Sequence, residues 1–323
     1  MRIHALIIAL LLGSPAVFAA DKAAPVWPRE VRDLKYPCAA DNSMQPALFY
    51  APDSTTTKPL LVALHSWSGD YKQVSQAPMA AWCITNGWAF IHPNFRGPNN
   101  RPDAMGSELA VQDILEAVKF AKSATRVDER RVYLVGASGG GYASLLLAGR
   151  APEIWAGVSA WVPITDLRAW YFESVRKKQK YAGDIVKSAG GIPEPGSKAE
   201  AECIKRSAIT HLAKAKGVPL DINAGIHDGH TGSVPVSHTL NAFNLLAAPE
   251  HRLTAGQIAI FTDQAAVPEA LRGERTDDPA YRNKPVLFRR QSGSTRVTLF
   301  EGGHEIVTEA ALQWLAQQRR KSD

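Results

Sequence analysis

The chain has 323 residues, of which 45% are hydrophobic and 21% charged. That balance excludes a disordered or fibrous chain and is enough for one large α/β domain with its own core. The formal charge of +6 comes from dispersed basic residues, as in Arg126 to Arg131 and Arg176 to Lys180. They form no stripe interleaved with aromatics, so no nucleic-acid partner is expected.

Residues 1–20 read as a signal peptide. Met1-Arg2-Ile3-His4 is a positive start, Ala5 to Leu12 is apolar, Gly13 and Pro15 break any helix, and Val17-Phe18-Ala19-Ala20 offers a cleavage site. The apolar run is shorter than the roughly 20 residues a bilayer span needs. The expectation is a mature chain of 21–323, periplasmic or secreted, with no membrane attachment after cleavage. Cys38, Cys83 and Cys203 stand in no zinc-like spacing. An oxidising compartment allows one disulfide among them, with no pairing favoured. Nothing in the pattern asks for a metal or a cofactor, and no oligomeric state is encoded in it.

Asp53 to Thr57 is a surface turn. Leu60 to His65 is a continuous apolar run, as expected of a strand buried on both faces. Tyr71 to Asn86 reads as a helix closed by Gly87. Trp88 to Ile91 is the next strand, and Ser107 to Lys122 an amphipathic helix. A strand over Arg131 to Val135 leads into a helix over Gly140 to Ala148, followed by a strand over Gly157 to Val162. Strands alternating with helices predict a mostly parallel central sheet with helices on both faces. Residues 167–216 break that rhythm with Trp170, Tyr171, Phe172 and a turn from Gly190 to Gly196, and read as a small helical cap. The rhythm resumes with a strand over Pro219 to Ala224. Residues 249–284 are irregular. A hairpin of Val286 to Arg290 and Arg296 to Phe300 follows, turning at Gln291 to Ser294, then His304 and a closing helix from Glu305 to Gln318.

The most specific stretch is Val132-Tyr-Leu-Val-Gly136-Ala-Ser138-Gly-Gly140-Gly141-Tyr142. A strand, Gly-x-Ser-x-Gly and a helix start make a nucleophile elbow, a sharp turn that strains the serine and lifts its Oγ out of the sheet. A serine hydroxyl needs a base, and the base needs a carboxylate to orient it. Asp228 lies just past the Pro219 to Ala224 strand, and His304 lies just past the last strand. Ser138 is therefore expected as nucleophile, His304 as general base and acid, and Asp228 as the orienting carboxylate. Asp221 and Glu301 are the rival acids. His227, Asp228 and His230 together suggest a metal cluster less well, because the other histidines stand on separate elements. The oxyanion donors should be the Gly139 N–H and an N–H of the loop His65-Ser66-Trp67, with Trp67 ahead of Ser66.

These motifs resemble the α/β-hydrolase superfamily, and more narrowly the catalytic domain of the prolyl oligopeptidase and dienelactone hydrolase-like group. The supporting stretches are Asn94-Phe-Arg-Gly97, Asp113, the elbow, Arg206-Ser207, Pro219-Leu220, Gly225 to Asp228, Val234-Pro235 and Gly302-Gly-His304. The resemblance implies an α/β-hydrolase fold with an acyl-enzyme mechanism and a bracing role for Arg96 and Asp113. It would place the acid three residues before Val234, at Thr231, so the acid loop reads as lengthened by three residues. With Trp67, Trp161 and Trp170 near the mouth as ring-stacking, substrate-binding residues, the favoured reading is a hydrolase of small-molecule or oligosaccharide esters. A peptidase on short peptides is the second reading, and a non-catalytic binding protein on the same fold the third.

Overall fold

The computed structural model describes residues 26–320, so the leader-like stretch 1–20 lies outside the described residues. Among the described residues nine strands form one sheet: β1 (Arg32–Cys38), β2 (Ser43–Tyr50), β3 (Lys58–Leu64), β4 (Ala89–Pro93), β5 (Val127–Ala137), β6 (Gly157–Trp161), β7 (Leu220–Gly225), β8 (Val286–Ser292) and β9 (Thr295–Phe300). Their order is β1-β2-β4-β3-β5-β6-β7-β9-β8. The inner strands from β4 through β9 run parallel, and β1, β2 and β8 join antiparallel at the edges.

The helices are α1 (Ala77–Asn86), α2 (Glu108–Ala124), α3 (Gly139–Arg150), α4 (Leu167–Arg176), α5 (Tyr181–Ala189), α6 (Lys198–Arg206), α7 (Ala208–His211), α8 (Ser237–Leu246), α9 (Ala255–Gln264) and α10 (Thr308–Ala316). They cover both faces. β3 shows why its run is apolar throughout: Leu60, Val62 and Leu64 enter the core shared with α2 and α3. Leu61 and Ala63 enter the core shared with α1, α8 and α10. Each of these Leu and Val side chains contributes about 1.5–3 kcal/mol on burial. Between β6 and β7, α4 to α6 form the helical segment expected over 167–216. Asp166 caps α4, Ser197 caps α6, and Gly190 at φ 79° ends α5.

Several boundaries move for local reasons. The helix read from Tyr71 starts only at Ala77, because Pro78 suits the first turn and nothing before it. The β1–β2 hairpin escapes a pattern reading because prolines interrupt it. Pro37 is tolerated on an edge strand, and Pro46 lies one residue before β2 begins pairing with β4 at Ala47. The stretch 249–284 holds a helix, α9, opened by a Thr254/Gln257 capping box. The closing helix starts at Thr308 rather than Glu305, whose carboxylate instead accepts from the Gly303 N–H at 3.1 Å. All three cysteines are buried thiols on separate elements, β1, α1 and α6.

Register places the chemistry. Leu64 is level with Gly136 across β3 and β5, and Gly225 is level with Phe300 across β7 and β9. The loop after β3 therefore meets the elbow, and the loop after β7 meets the loop after β9.

Candidate active site

Ser138 sits between β5 and α3 at φ 58°, ψ −119°. This left-handed-side backbone is costly for a residue with a side chain, and it persists because the surroundings fix it. Its N–H donates to the Trp161 carbonyl at 2.9 Å, and its carbonyl accepts from the Tyr142 N–H at 2.8 Å. The glycines flanking it are close-approach positions. A Cβ on Gly136 would lie 2.4 Å from the Gly140 backbone, and one on Gly140 would lie 2.6 Å from the Leu64 carbonyl. A Cβ on Gly139 would lie 2.4 Å from the Trp67 nitrogen, so the elbow and the β3 loop touch backbone to backbone there.

Two N–H groups at that contact are candidate oxyanion donors. Gly139 opens α3, where the first helical N–H groups have no partner within the helix. In the β3 loop the Ser66 N–H donates to Gln73 Oε1 at 2.9 Å. The Trp67 N–H has no hydrogen-bond acceptor among the described residues. Of these two loop N–H groups, that of Ser66 is engaged, and that of Trp67 is left without an acceptor among the described residues. His65 is fully buried, stacked on Phe95 at 3.8 Å, and burial lowers its pKa, so it stays neutral and braces the loop.

On the other side, Asp228 Oδ2 accepts from His304 Nδ1–H at 2.8 Å. Asp228 is 1% exposed, and its other oxygen accepts from the Gly229 N–H at 2.9 Å and the Val234 N–H at 3.2 Å. The carboxylate is thereby held with both oxygens engaged, which keeps it aimed at the ring. The acid and histidine loops are joined by the backbone, His227 N–H to the Gly302 carbonyl at 3.0 Å. Gly232 packs into the pair: a Cβ there would lie 2.2 Å from Asp228 Oδ1 and 2.6 Å from His304 Cβ.

The rival acids are occupied elsewhere. Asp221 binds Arg296 at 2.8 Å and Ser159 Oγ at 3.0 Å inside the sheet. Glu301 meets His227 at 2.7 Å. His230 faces the Thr262 carbonyl at 2.8 Å, so His227, Asp228 and His230 turn to three different partners. Arg96 grips Asp113 through two nitrogens, at 2.8 and 2.9 Å, and Asp41 at 2.7 Å. That is the bracing role the sequence suggested.

The tryptophans need correction. Trp67 is 2% exposed, and Trp161 and Trp170 are fully buried. Trp161 lies beneath the site against Tyr281 and Phe300. Trp67 and Trp170 pack edge to face at 4.7 Å. None offers a free ring face to a sugar, because each of these large aromatic surfaces, on the β3 loop, at the end of β6 and on α4, is covered by its neighbours. Sequence reasoning also missed three residues at the site. They are Gly232, Ser233, whose Oγ is 3.5 Å from His304 Nε2, and Asp184, which receives the Trp67 indole N–H at 3.2 Å. Only Gly232 carried a signal, as a glycine inside the lengthened acid loop.

A model of the prolyl oligopeptidase family matches residues 76–265, more than half of the chain. The chain belongs to the prolyl oligopeptidase family. It is a serine hydrolase by that membership, on the α/β-hydrolase fold. Acylamino-acid-releasing enzyme 1 of Oryza sativa subsp. japonica is 26% identical over 159 residues, covering 43% of this chain and 20% of the relative. Acylamino-acid-releasing enzyme of Arabidopsis thaliana is 24% identical over 250 residues, covering 72% and 30% respectively. The chain thus spans less than a third of these relatives' lengths. A solved acylaminoacyl peptidase in complex with Z-Gly-Gly-Phe-chloromethyl ketone shares the fold. Its TM-score is 0.59 at 14% identity, over 91% of this chain and 42% of that one.

Proposed function

We propose that this prolyl oligopeptidase family member cleaves the amide bond of short or N-acylated peptides through Ser138, His304 and Asp228. The observation that carries the reading is the 2.8 Å His304–Asp228 bond on the loops after β9 and β7, together with an elbow that holds Ser138 at φ 58°. Among the described residues His304 Nε2 faces Ser233 Oγ at 3.5 Å, and no hydrogen bond joins it to Ser138 Oγ. In this mechanism Ser138 Oγ attacks the carbonyl carbon while its proton passes to His304 Nε2. Asp228 stabilises the imidazolium that forms. The Gly139 and Trp67 N–H groups hold the developing oxyanion. His304 then gives the proton to the leaving nitrogen, and water repeats the sequence on the acyl-enzyme. Export to the periplasm or medium, suggested by the leader-like start, is part of the proposal.

The amide preference is supported by the names of the curated relatives, while ester hydrolysis, which the sequence favours, uses the same groups with an easier leaving group. One experiment separates them: kcat/KM on an N-acetyl-amino-acid p-nitroanilide and on the matching p-nitrophenyl ester, with Ser138→Ala as blank. Ser138-dependent anilide cleavage supports the peptidase. Ester turnover with no anilide cleavage replaces it with an esterase.

A further inference from the structure

We propose that Asp184, on cap helix α5, is a positioning residue for the oxyanion hole, acting through the Trp67 side chain. The inference rests on the proposed reading in which the Trp67 N–H is an oxyanion donor. Trp67 is held from two sides. Its carbonyl accepts the Asn99 N–H at 2.9 Å, and its indole N–H donates to Asp184 Oδ2 at 3.2 Å, across 117 residues of sequence. Around the ring stand Trp170 at 4.7 Å, Tyr142 at 6.2 Å and Tyr181 at 6.5 Å.

Packing alone leaves an aromatic ring free to slide within its plane, whereas an indole N–H bonded to a carboxylate fixes its rotation. Fixing the ring fixes Cα and the adjacent N–H, the group that must lie within hydrogen-bond reach of the developing oxyanion. Asp184 also lies in the first turn of α5, where a negative charge is favoured by the helix dipole. That placement explains why a carboxylate is stable there, but not why it meets a tryptophan from the β3 loop. On this view the cap is a brace on the oxyanion loop rather than a detached lid. The same cap reaches the acid loop, where the Trp170 indole N–H donates to the Ser233 carbonyl at 3.0 Å and Lys177 reaches the Gly229 carbonyl.

The test is steady-state kinetics on the p-nitrophenyl ester for Asp184→Leu, Asp184→Asn, Trp67→Phe and the double variant Asp184→Leu/Trp67→Phe. Labelling of Ser138 by a fluorophosphonate is followed alongside. The expected result is a kcat lowered about tenfold or more in Asp184→Leu and in Trp67→Phe with KM little changed. Asp184→Asn, which keeps an acceptor oxygen, should recover most of the loss. The double variant should be no worse than either single one, because both remove the same bond. Wild-type kcat in Asp184→Leu, losses that multiply in the double variant, or an Asn variant as poor as Leu would each overturn the inference. If Asp184→Leu fails to fold, the Asn variant and Trp67→Phe still decide it: equal, wild-type kcat in both sinks it. Failure of the serine-hydrolase reading is distinguishable, since Ser138 would then resist the fluorophosphonate in the wild-type chain, whereas a wild-type Ser138 that labels normally leaves a wild-type kcat in Asp184→Leu to count against the inference alone.

Discussion

The elbow and the acid loop are both turns at the ends of parallel strands, yet they are held in opposite ways. The elbow depends on its own contiguous small residues: Gly136, Gly139 and Gly140 let its backbone meet its own next turn, the β3 loop and the end of β3 at distances that no Cβ permits. The acid loop is fixed by partners far away in sequence. Asp228 is tied to His304, Gly232 is wedged against both, and cap side chains bond the Gly229 and Ser233 carbonyls. A turn built from contiguous small residues can be read in a sequence. A turn built from remote donors cannot, because nothing local distinguishes it from an ordinary surface loop.

The comparison is sharpened first at the elbow. Ser138→Ala should lower kcat by about 10⁴-fold or more while leaving the melting temperature close to wild type, since the alanine fills the same space. Calorimetry and single-turnover kinetics check both halves. Retained turnover would remove Ser138 from the mechanism.

The acid loop should respond nearly as strongly but through orientation. Asp228→Asn is expected to cost about 10³–10⁴-fold in kcat, because the amide favours the wrong histidine tautomer. Asp221→Asn should instead act on stability through its lost Arg296 pair, with kcat per folded molecule preserved. An inverted outcome would move the acid to Asp221.

Gly232→Ala probes whether the loop's remote fixing matters. The added methyl must displace Asp228 Oδ1 or His304 Cβ, and a shift of about 1 Å at a reacting group is enough for roughly 10²-fold in rate. The expected result is a large kcat loss with a stability loss of about 1–3 kcal/mol. A variant with wild-type kinetics would show that the loop adjusts freely.

The smallest effect lies on the elbow side and concerns pH. His92 is fully buried beside β3, with Nδ1 2.6 Å from the Ala63 carbonyl, and burial lowers its pKa to about 3. His65 is lowered in the same direction. Between the unfolded histidine pKa of about 6.5 and that folded value, the unfolded chain binds more protons than the folded one. Stability contributed by the neutral rings is therefore complete above that range and lost as pH falls through it. Each ring can account for at most about 1.4 kcal/mol per pH unit. Denaturant melts between pH 7 and pH 4 should show the decline, with a shallower slope in His92→Gln. An unchanged slope would place the acid sensitivity elsewhere.

Much of the site was legible. The order Ser138, Asp228, His304 just past three strand ends followed from alternation of strands and helices, and Arg96 with Asp113 read correctly as braces. The prolines in β1 and β2 hide the edge hairpin by breaking the alternation that marks strands, whereas the Thr254/Gln257 capping box is a local signal of α9 that the sequence carries openly. The tryptophans misled because an aromatic near the motif looks the same in a sequence whether it faces solvent or core.

What the sequence determined by itself was the elbow, the parallel α/β order and the candidates for base and acid. Each of these depends on spacing along one stretch of chain. Tertiary structure decided which carboxylate meets His304, because β7 lies beside β9 while Asp221 points into Arg296 and Glu301 pairs with His227. It decided that Trp67, Trp161 and Trp170 are buried, and that Asp184 reaches the oxyanion loop across 117 residues. Such pairings depend on which strand ends become neighbours, and burial depends on what the rest of the chain lays over a ring. Neither property belongs to any single segment.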